Sequence, residues 1–69
     1  MKKTAVLLAD GFEEIEALTV VDIMRRGNVL CDMISINNIE VIGAHNIKVS
    51  TDKILDETIY DYDLIVFPG

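Results

Sequence analysis

The sequence predicts an α/β domain of the doubly wound type, built on a mainly parallel sheet. Two short runs, residues 4–9 and 64–67, are continuously apolar, as strands buried on both faces of a parallel sheet are. Residues 13–26 between them carry the periodicity of an amphipathic helix. A half-exposed antiparallel strand would instead alternate apolar and polar residues. The order strand, helix, strand is therefore typical of the opening of a doubly wound fold.

Composition excludes several classes of protein. The chain has 69 residues, 51% of them hydrophobic, which is too apolar for a disordered acidic tail. Twelve acidic against six basic residues give a net charge of −6, which argues against nucleic acid and anionic membranes as partners. The single cysteine excludes an internal disulfide and disfavours a zinc site. No apolar run approaches the roughly 20 residues of a membrane span, so we expect a cytoplasmic protein.

The helix has clear start and stop signals. Acidic residues occupy its first turn and Arg25 and Arg26 its last, which complements the helix dipole. Gly27 and Asn28 follow as a C-terminal stop. The apolar positions fall at i, i+3, i+4 and i+7 and should face the sheet: Ala17, Val20, Val21 and Met24.

The second half of the chain predicts further strands but no second long helix. Residues 29–36 read as a strand, residues 39–50 as a small hairpin, and residues 51–63 as a loop with one helical turn. Buried parallel strands need helices on both faces, and one helix cannot supply them. We therefore expect residues 1–69 to be the N-terminal portion of one larger domain; the alternative is a small free-standing module.

Ligands of open α/β sheets bind beyond the carboxyl ends of the strands, here residues 9–16 and 67–69. Crossover connections bring neighbouring parallel strand ends to one edge, so both segments should face one pocket. The first segment contains a cluster of acids, which are Asp10, Glu13, Glu14 and Glu16. One interpretation is a solvated, dipole-complementing helix start. The other is that Glu16, flanked by Ile15 and Ala17, points inward and keeps its proton in an apolar pocket.

Other sites are disfavoured by the same segments. Four carboxylates and the absence of G-x-G-x-x-G argue against a nucleotide, NAD or FMN phosphate at this turn. A receiver-type signalling module, which is phosphorylated on an aspartate, would need an aspartate at the end of the last strand, where this chain has Phe67. Cys31 lies inside a strand and reads as a core residue, and His45 reads as an exposed turn residue. No metal-loop spacing is present, and no cofactor or metal is expected.

Three segments together resemble the ThiJ/PfpI superfamily, in the branch of the Parkinson's-linked deglycase-like protein. They are Ala-Val-Leu-Leu-Ala-Asp-Gly-Phe-Glu-Glu-Ile-Glu-Ala (5–17), Val-Asp-Ile-Met-Arg-Arg-Gly (21–27) and Tyr-Asp-Leu-Ile-Val-Phe-Pro-Gly (62–69). The resemblance covers nearly the whole chain. It implies a flavodoxin-like α/β/α sandwich of the class I glutamine amidotransferase type, usually a homodimer, of which this chain holds the N-terminal portion.

The resemblance also implies roles for individual residues. The family pairs a reactive cysteine with a protonated glutamate of the first helix, which Glu16 matches as the catalytic residue. Asp10, Gly11 and Gly69 match the neighbourhood of an oxyanion hole. The family's cysteine lies beyond residue 69, and Cys31 does not match it, so the nucleophile would come from the remainder of the protein, possibly as a separate chain. The implied dimer contact lies around Ile15, Arg25 and Arg26.

Activities within the family vary. The resemblance implies a cofactor-independent, cysteine-dependent enzyme on small reactive carbonyls, of the glyoxalase or deglycase type, or an amidase- or protease-like hydrolase. The alternative is an oxidative-stress sensor or chaperone with an oxidisable cysteine and no turnover. Some members also carry a historical name from thiazole monophosphate biosynthesis. The 69 residues alone are expected to be inactive.

Overall fold

Parallel strands and one long helix dominate the computed structural model, which describes residues 2–68. Its elements, in chain order, are β1 (Lys3–Leu8), α1 (Glu14–Arg26), β2 (Leu30–Ser35), β3 (Glu40–Ile42), β4 (Lys48–Ser50), β5 (Lys53–Ile54), a 3₁₀ helix (Glu57–Asp61) and β6 (Leu64–Val66). The first strand, the helix, the second strand, the hairpin and the last strand are those that the sequence predicts.

Four of these strands form one parallel sheet in the order β5-β2-β1-β6. β1 is central: Val6 lies beside Met33 of β2 on one side and Val66 of β6 on the other. β3 and β4 pair antiparallel as a separate hairpin. The parallel α/β architecture predicted from the two apolar runs is confirmed.

α1 buries the apolar stripe that its sequence predicts. Ala17 and Val21 are buried, and Val20 and Met24 are partly buried against the same core. The helix ends at Arg26 and is capped by Gly27, whose amide donates to the Ile23 carbonyl oxygen at 3.1 Å. The predicted C-terminal stop is confirmed as well.

The core lies between α1 and one face of the sheet. Neighbouring parallel positions share a face, so Val6, Met33 and Val66 point the same way, toward the helix. Val6 and Leu8 are completely buried there. Cys31 is also buried in this core, as its place in a strand predicts.

The segment between the hairpin and β6 holds more structure than a loop with one helical turn. It contains the two-residue strand β5, which pairs with β2 through Ile34 and Ser35. Two residues are too short to carry a periodic signal, so the sequence pattern does not reveal this strand. The predicted helical turn is the 3₁₀ helix, whose start is capped by Asp56 accepting from the Thr58 amide at 2.9 Å.

The sheet face opposite α1 is only partly covered within residues 2–68. The Tyr62 hydroxyl donates to Asp32 of β2 at 2.5 Å, and burial together with this carboxylate raises the pKa of Tyr62 to about 12. Large apolar side chains of the last segment stay exposed, at 37% for Ile65, which lies beside Ala5 on this face, and 74% for Phe67. Among the residues described, no helix combines the length and apolar character needed to cross a membrane.

Candidate functional site

A cavity of about 230 Å³ lies at the carboxyl edge of the sheet, where β1 and β6 end side by side. The loop after β1 supplies one wall and the residues after β6 the other. Its lining is Leu7, Ala9, Asp10, Gly11, Phe12, Ile36, Phe67 and Pro68. The structure thus brings together the two strand ends that the sequence places at one edge.

The loop after β1 is held by the hairpin. The Gly11 amide donates to the Ile42 carbonyl oxygen at 2.8 Å, and the Ile42 amide donates to the Asp10 carboxylate at 3.0 Å. Gly11 has φ +92°, a left-handed conformation that favours glycine. Asp10 and Gly11 therefore line the cavity from a fixed loop. Gly69 lies outside the described residues, and the oxyanion role of all three residues stays a prediction.

Glu16 is exposed in this structure rather than pointing inward. The expectation that its flanking apolar neighbours carry it into a pocket is therefore wrong for residues 2–68. At the start of α1 the exposed face of the helix contains both Ile15 and Glu16, because the buried stripe runs through Ala17 and Val21. The catalytic role of Glu16 stays a prediction that depends on polypeptide packed over this face.

The carboxyl that α1 buries is Glu14, which is only 4% exposed. Its carboxylate accepts from the His45 amide at 2.7 Å, from the Ile47 amide at 3.4 Å and from Nδ1 of the His45 ring at 2.9 Å. Burial disfavours the charged form, but the hydrogen bonds from His45 and the backbone amides outweigh it and lower the pKa of Glu14 to about 2. Glu14 is thus a buried, ionised acid.

One sequence signal could have identified Glu14. It precedes Ala17 by three positions and Val21 by seven, so it lies on the same helix face as the apolar stripe. A carboxyl at that place must find donors, and the backbone amides of the hairpin turn supply them. The interpretation of the whole acid cluster as a solvated face is wrong at this position. His45 is exposed as expected for a turn residue, yet it is paired.

Glu13, Glu14 and His45 place three potential metal-binding atoms within 4.8 Å of one another. Both carboxylate oxygens of Glu14, however, already accept hydrogen bonds from the hairpin. A cation would have to displace the His45 ring from Glu14. Both oxygens of the Glu14 carboxylate are thus already satisfied by the hairpin.

The surroundings of Cys31, the single thiol of the chain, do not favour a reactive thiolate. It is 3% exposed, and burial raises the pKa of its thiol even though Arg25 acts in the opposite direction. Arg25 donates to the Cys31 carbonyl oxygen at 2.8 Å and pairs with Asp52 at 2.9 Å. This thiol therefore serves the core.

The positions expected to contact a second copy are exposed to different degrees. Ile15 is 81% exposed at the start of α1. Arg26 pairs with Asp22 one turn earlier on the exposed face of the helix at 3.0 Å. Arg25 is already engaged within the chain. Their role in a dimer stays a prediction.

Comparisons with known proteins agree with this architecture. The DJ-1/PfpI family profile matches residues 2–69. The chain is 40% identical over 67 residues to protein DJ-1 homolog B of Arabidopsis thaliana, and 31% identical over 71 residues to protein DJ-1alpha of Drosophila melanogaster. These matches span 93% and 99% of this chain but 15% and 33% of the two relatives.

Solved structures give the same result in three dimensions. A cysteine-to-alanine mutant of a DJ-1 superfamily protein from Salmonella typhimurium superposes with a TM-score of 0.92 at 39% identity. Toxoplasma gondii DJ-1, in an oxidised form, superposes with a TM-score of 0.92 at 30% identity. Both comparisons cover 100% of this chain and 38% and 39% of the other. The chain thus spans well under half the length of these relatives.

Proposed function

The chain belongs to the DJ-1/PfpI family, and we propose that it is the N-terminal portion of a single flavodoxin-like domain with a cysteine-dependent activity. The single observation that carries this proposal is the cavity at the carboxyl ends of β1 and β6, lined by Asp10 and Gly11. The cavity lies where doubly wound folds bind ligands. The complete protein is proposed to act in the cytoplasm, without a cofactor, on small reactive carbonyls.

The apolar surface beside β6 supports the proposal that further polypeptide completes the domain. Ile65 and Phe67 are exposed on the side away from α1, although β6 belongs to a parallel sheet of the kind that is normally covered on both faces. Covering this face would remove exposed apolar area from water and satisfy a strand edge. The relatives, of which the chain spans a fraction, are long enough to supply that cover.

The mass of the intact polypeptide tests this part of the proposal. We expect a mass well above that of 69 residues, or a second chain that co-purifies with this one. Mass spectrometry of the natural protein under denaturing and native conditions measures both. A monodisperse 69-residue chain with a cooperative thermal transition at micromolar concentration would contradict it.

The proposed chemistry is the addition of a thiolate to an aldehyde. The thiolate, supplied by polypeptide outside this chain, forms a carbon–sulfur bond, and the electron pair of the carbonyl moves onto its oxygen. A protonated Glu16 donates its proton to that oxygen, which gives a hemithioacetal. The resulting carboxylate then takes the C1 proton and passes it to the neighbouring ketone carbon, while the hydroxyl proton moves to the ketone oxygen, so that the hemithioacetal becomes the thioester of a hydroxy acid. Water hydrolyses this thioester, which releases the hydroxy acid and returns the thiol. For Glu16 to keep its proton, the remaining polypeptide must cover the face of α1 on which it now lies exposed.

Turnover of methylglyoxal by the intact protein tests the enzyme proposal. We expect conversion without added cofactor, measured by loss of the carbonyl and appearance of the hydroxy acid. The 69-residue chain alone serves as the negative control, because it holds no accessible thiol among its described residues. Absence of turnover by the intact protein would contradict the enzyme proposal.

The second candidate is an oxidative-stress sensor or chaperone. The observation that favours it is the oxidised state of the similar Toxoplasma gondii DJ-1. A cysteine sulfinate could accept a short hydrogen bond from a protonated Glu16 in the same pocket. Mass spectrometry after peroxide treatment distinguishes the candidates: a cysteine that gains two oxygens in a protein without turnover supports the sensor.

Assembly is proposed to follow the family pattern, with two copies meeting around Ile15, Arg25 and Arg26. The 81% exposure of Ile15 supports this, since a large apolar side chain beside charged neighbours is typical of a contact surface. Arg26 remains accessible on the same helix.

A further inference from the structure

Glu14 connects α1 to the turn of the β3–β4 hairpin. Its carboxylate accepts hydrogen bonds from the His45 amide at 2.7 Å, from the Ile47 amide at 3.4 Å and from Nδ1 of the His45 ring at 2.9 Å. The three donors come from one short turn, so the Glu14 side chain alone connects that turn to α1. Glu14 is buried and His45 is exposed, which leaves the ring open to exchange its proton with water.

Gly43 makes room for this contact. A Cβ atom at Gly43 would overlap the Glu14 side chain, so any other residue at this position would force the carboxylate away. Gly43 is itself buried. The position thus requires glycine because of the close approach of a carboxylate to the backbone, rather than because of its backbone dihedral angles.

The same hairpin holds the loop that lines the cavity. The Ala44 amide donates to the Phe12 carbonyl oxygen at 2.8 Å, next to the Gly11–Ile42 bond described above. Phe12 is buried and lines the cavity. A change in how the hairpin packs on the loop after β1 therefore changes the contacts that hold this wall of the cavity in place.

We propose that Glu14, Gly43 and His45 form a pH-sensitive clasp that holds the β3–β4 hairpin on the loop after β1, tight when the His45 imidazole is protonated and looser when it is neutral. The protonated ring forms an ion pair with a buried carboxylate, whereas the neutral ring offers only a hydrogen bond. The clasp does not depend on the proposed carbonyl chemistry.

The charges around His45 set the direction of the effect. The hydrogen bond to Glu14, the charge of Glu14 and the charge of Glu13 raise the pKa of His45, and desolvation acts in the opposite direction. Other charged groups on the packed elements are Asp10 on the loop and Glu40 and Lys48 on the hairpin. Because the pKa is raised on docking, the stabilisation is fully present below about pH 6.5 and is lost as the pH rises through the folded-state pKa. Because the pKa of Glu14 is about 2, its carboxylate stays ionised while His45 titrates.

Two measurements on the intact polypeptide test the clasp. An NMR titration of the His45 ring gives its folded-state pKa, which we expect above 6.5. Hydrogen exchange of the His45 and Ile47 amides, corrected for the intrinsic pH dependence of exchange, gives the protection of the hairpin. Protection should fall about tenfold for each pKa unit by which His45 exceeds 6.5. The Val21 amide inside α1 serves as the internal control and should show no such dependence.

Three variants separate the clasp from a merely structural contact. His45→Gln keeps a donor but cannot titrate, so protection of Ile47 should become independent of pH. Glu14→Gln and Gly43→Ala should both return the pKa of His45 toward 6.5, the first by removing the charge and the second by displacing it. A His45 ring that titrates at its ordinary value in the unaltered protein, or hairpin protection unaffected by its titration, would overturn the proposal.

Discussion

Replacing Glu16 by alanine in the intact protein is expected to lower methylglyoxal turnover by about 10²–10⁴-fold, the usual contribution of a general acid or base. The thiolate would still attack, but no positioned group would protonate the carbonyl oxygen. Because Glu16 lies exposed on α1 within residues 2–68, its removal should leave the fold of this part intact. Steady-state kinetics should show the loss in kcat more than in KM.

Two further substitutions and one control define the role of Glu16. Glutamine keeps a hydrogen-bond donor and should cost less than alanine or leucine; an equal loss in all three would count against a donor role. Asp22→Asn alters another exposed acid of the same helix and should leave turnover unchanged. A comparable loss in that control would point to a general effect of charge on α1.

Replacing Leu8 by alanine is expected to destabilise the protein by about 2–5 kcal/mol, the range for a leucine lost from a close-packed core. Leu8 is completely buried at the end of the central strand, within the same core cluster as Phe12 and Ala17. Both removal of the transfer free energy and the cavity left between strand and helix contribute. Urea denaturation of the intact polypeptide should show a lower midpoint with an unchanged slope.

The matched control for Leu8 is Ile23→Ala. Ile23 is 61% exposed on the outer face of α1, so its truncation should change stability by no more than about 0.5 kcal/mol. Equal losses at Leu8 and Ile23 would mean that the core does not lie between β1 and α1.

Elements with a strong local pattern could be predicted from the sequence. The strand β1 appears where its continuously apolar run predicts it, and the stripe through Ala17 and Val21 is buried as the helical period predicts. β5 could not be predicted, because two residues have no period and the strand exists through its pairing with Ile34 and Ser35 of β2. β5 forms because it pairs with β2, a strand that lies elsewhere in the sequence.

The candidate site, too, could be predicted only in part from the sequence. The meeting of the loop after β1 with the residues after β6 follows from the general topology of parallel sheets. The identity of the buried acid does not: local flanking residues favoured Glu16, whereas the structure buries Glu14. The donors that make that burial possible lie on the hairpin, 31 positions away in the case of His45.

By itself the sequence determined the α/β class, the central strand, the amphipathic helix and membership of a family, because each depends on patterns within a short stretch of chain or on the order of such stretches. Only the tertiary structure decided which carboxyl is buried, that His45 is paired, and that Gly43 must have no side chain. The physical reason is that burying an ionised group requires hydrogen-bond donors, and these donors come from a turn that is close to Glu14 only after the chain has folded.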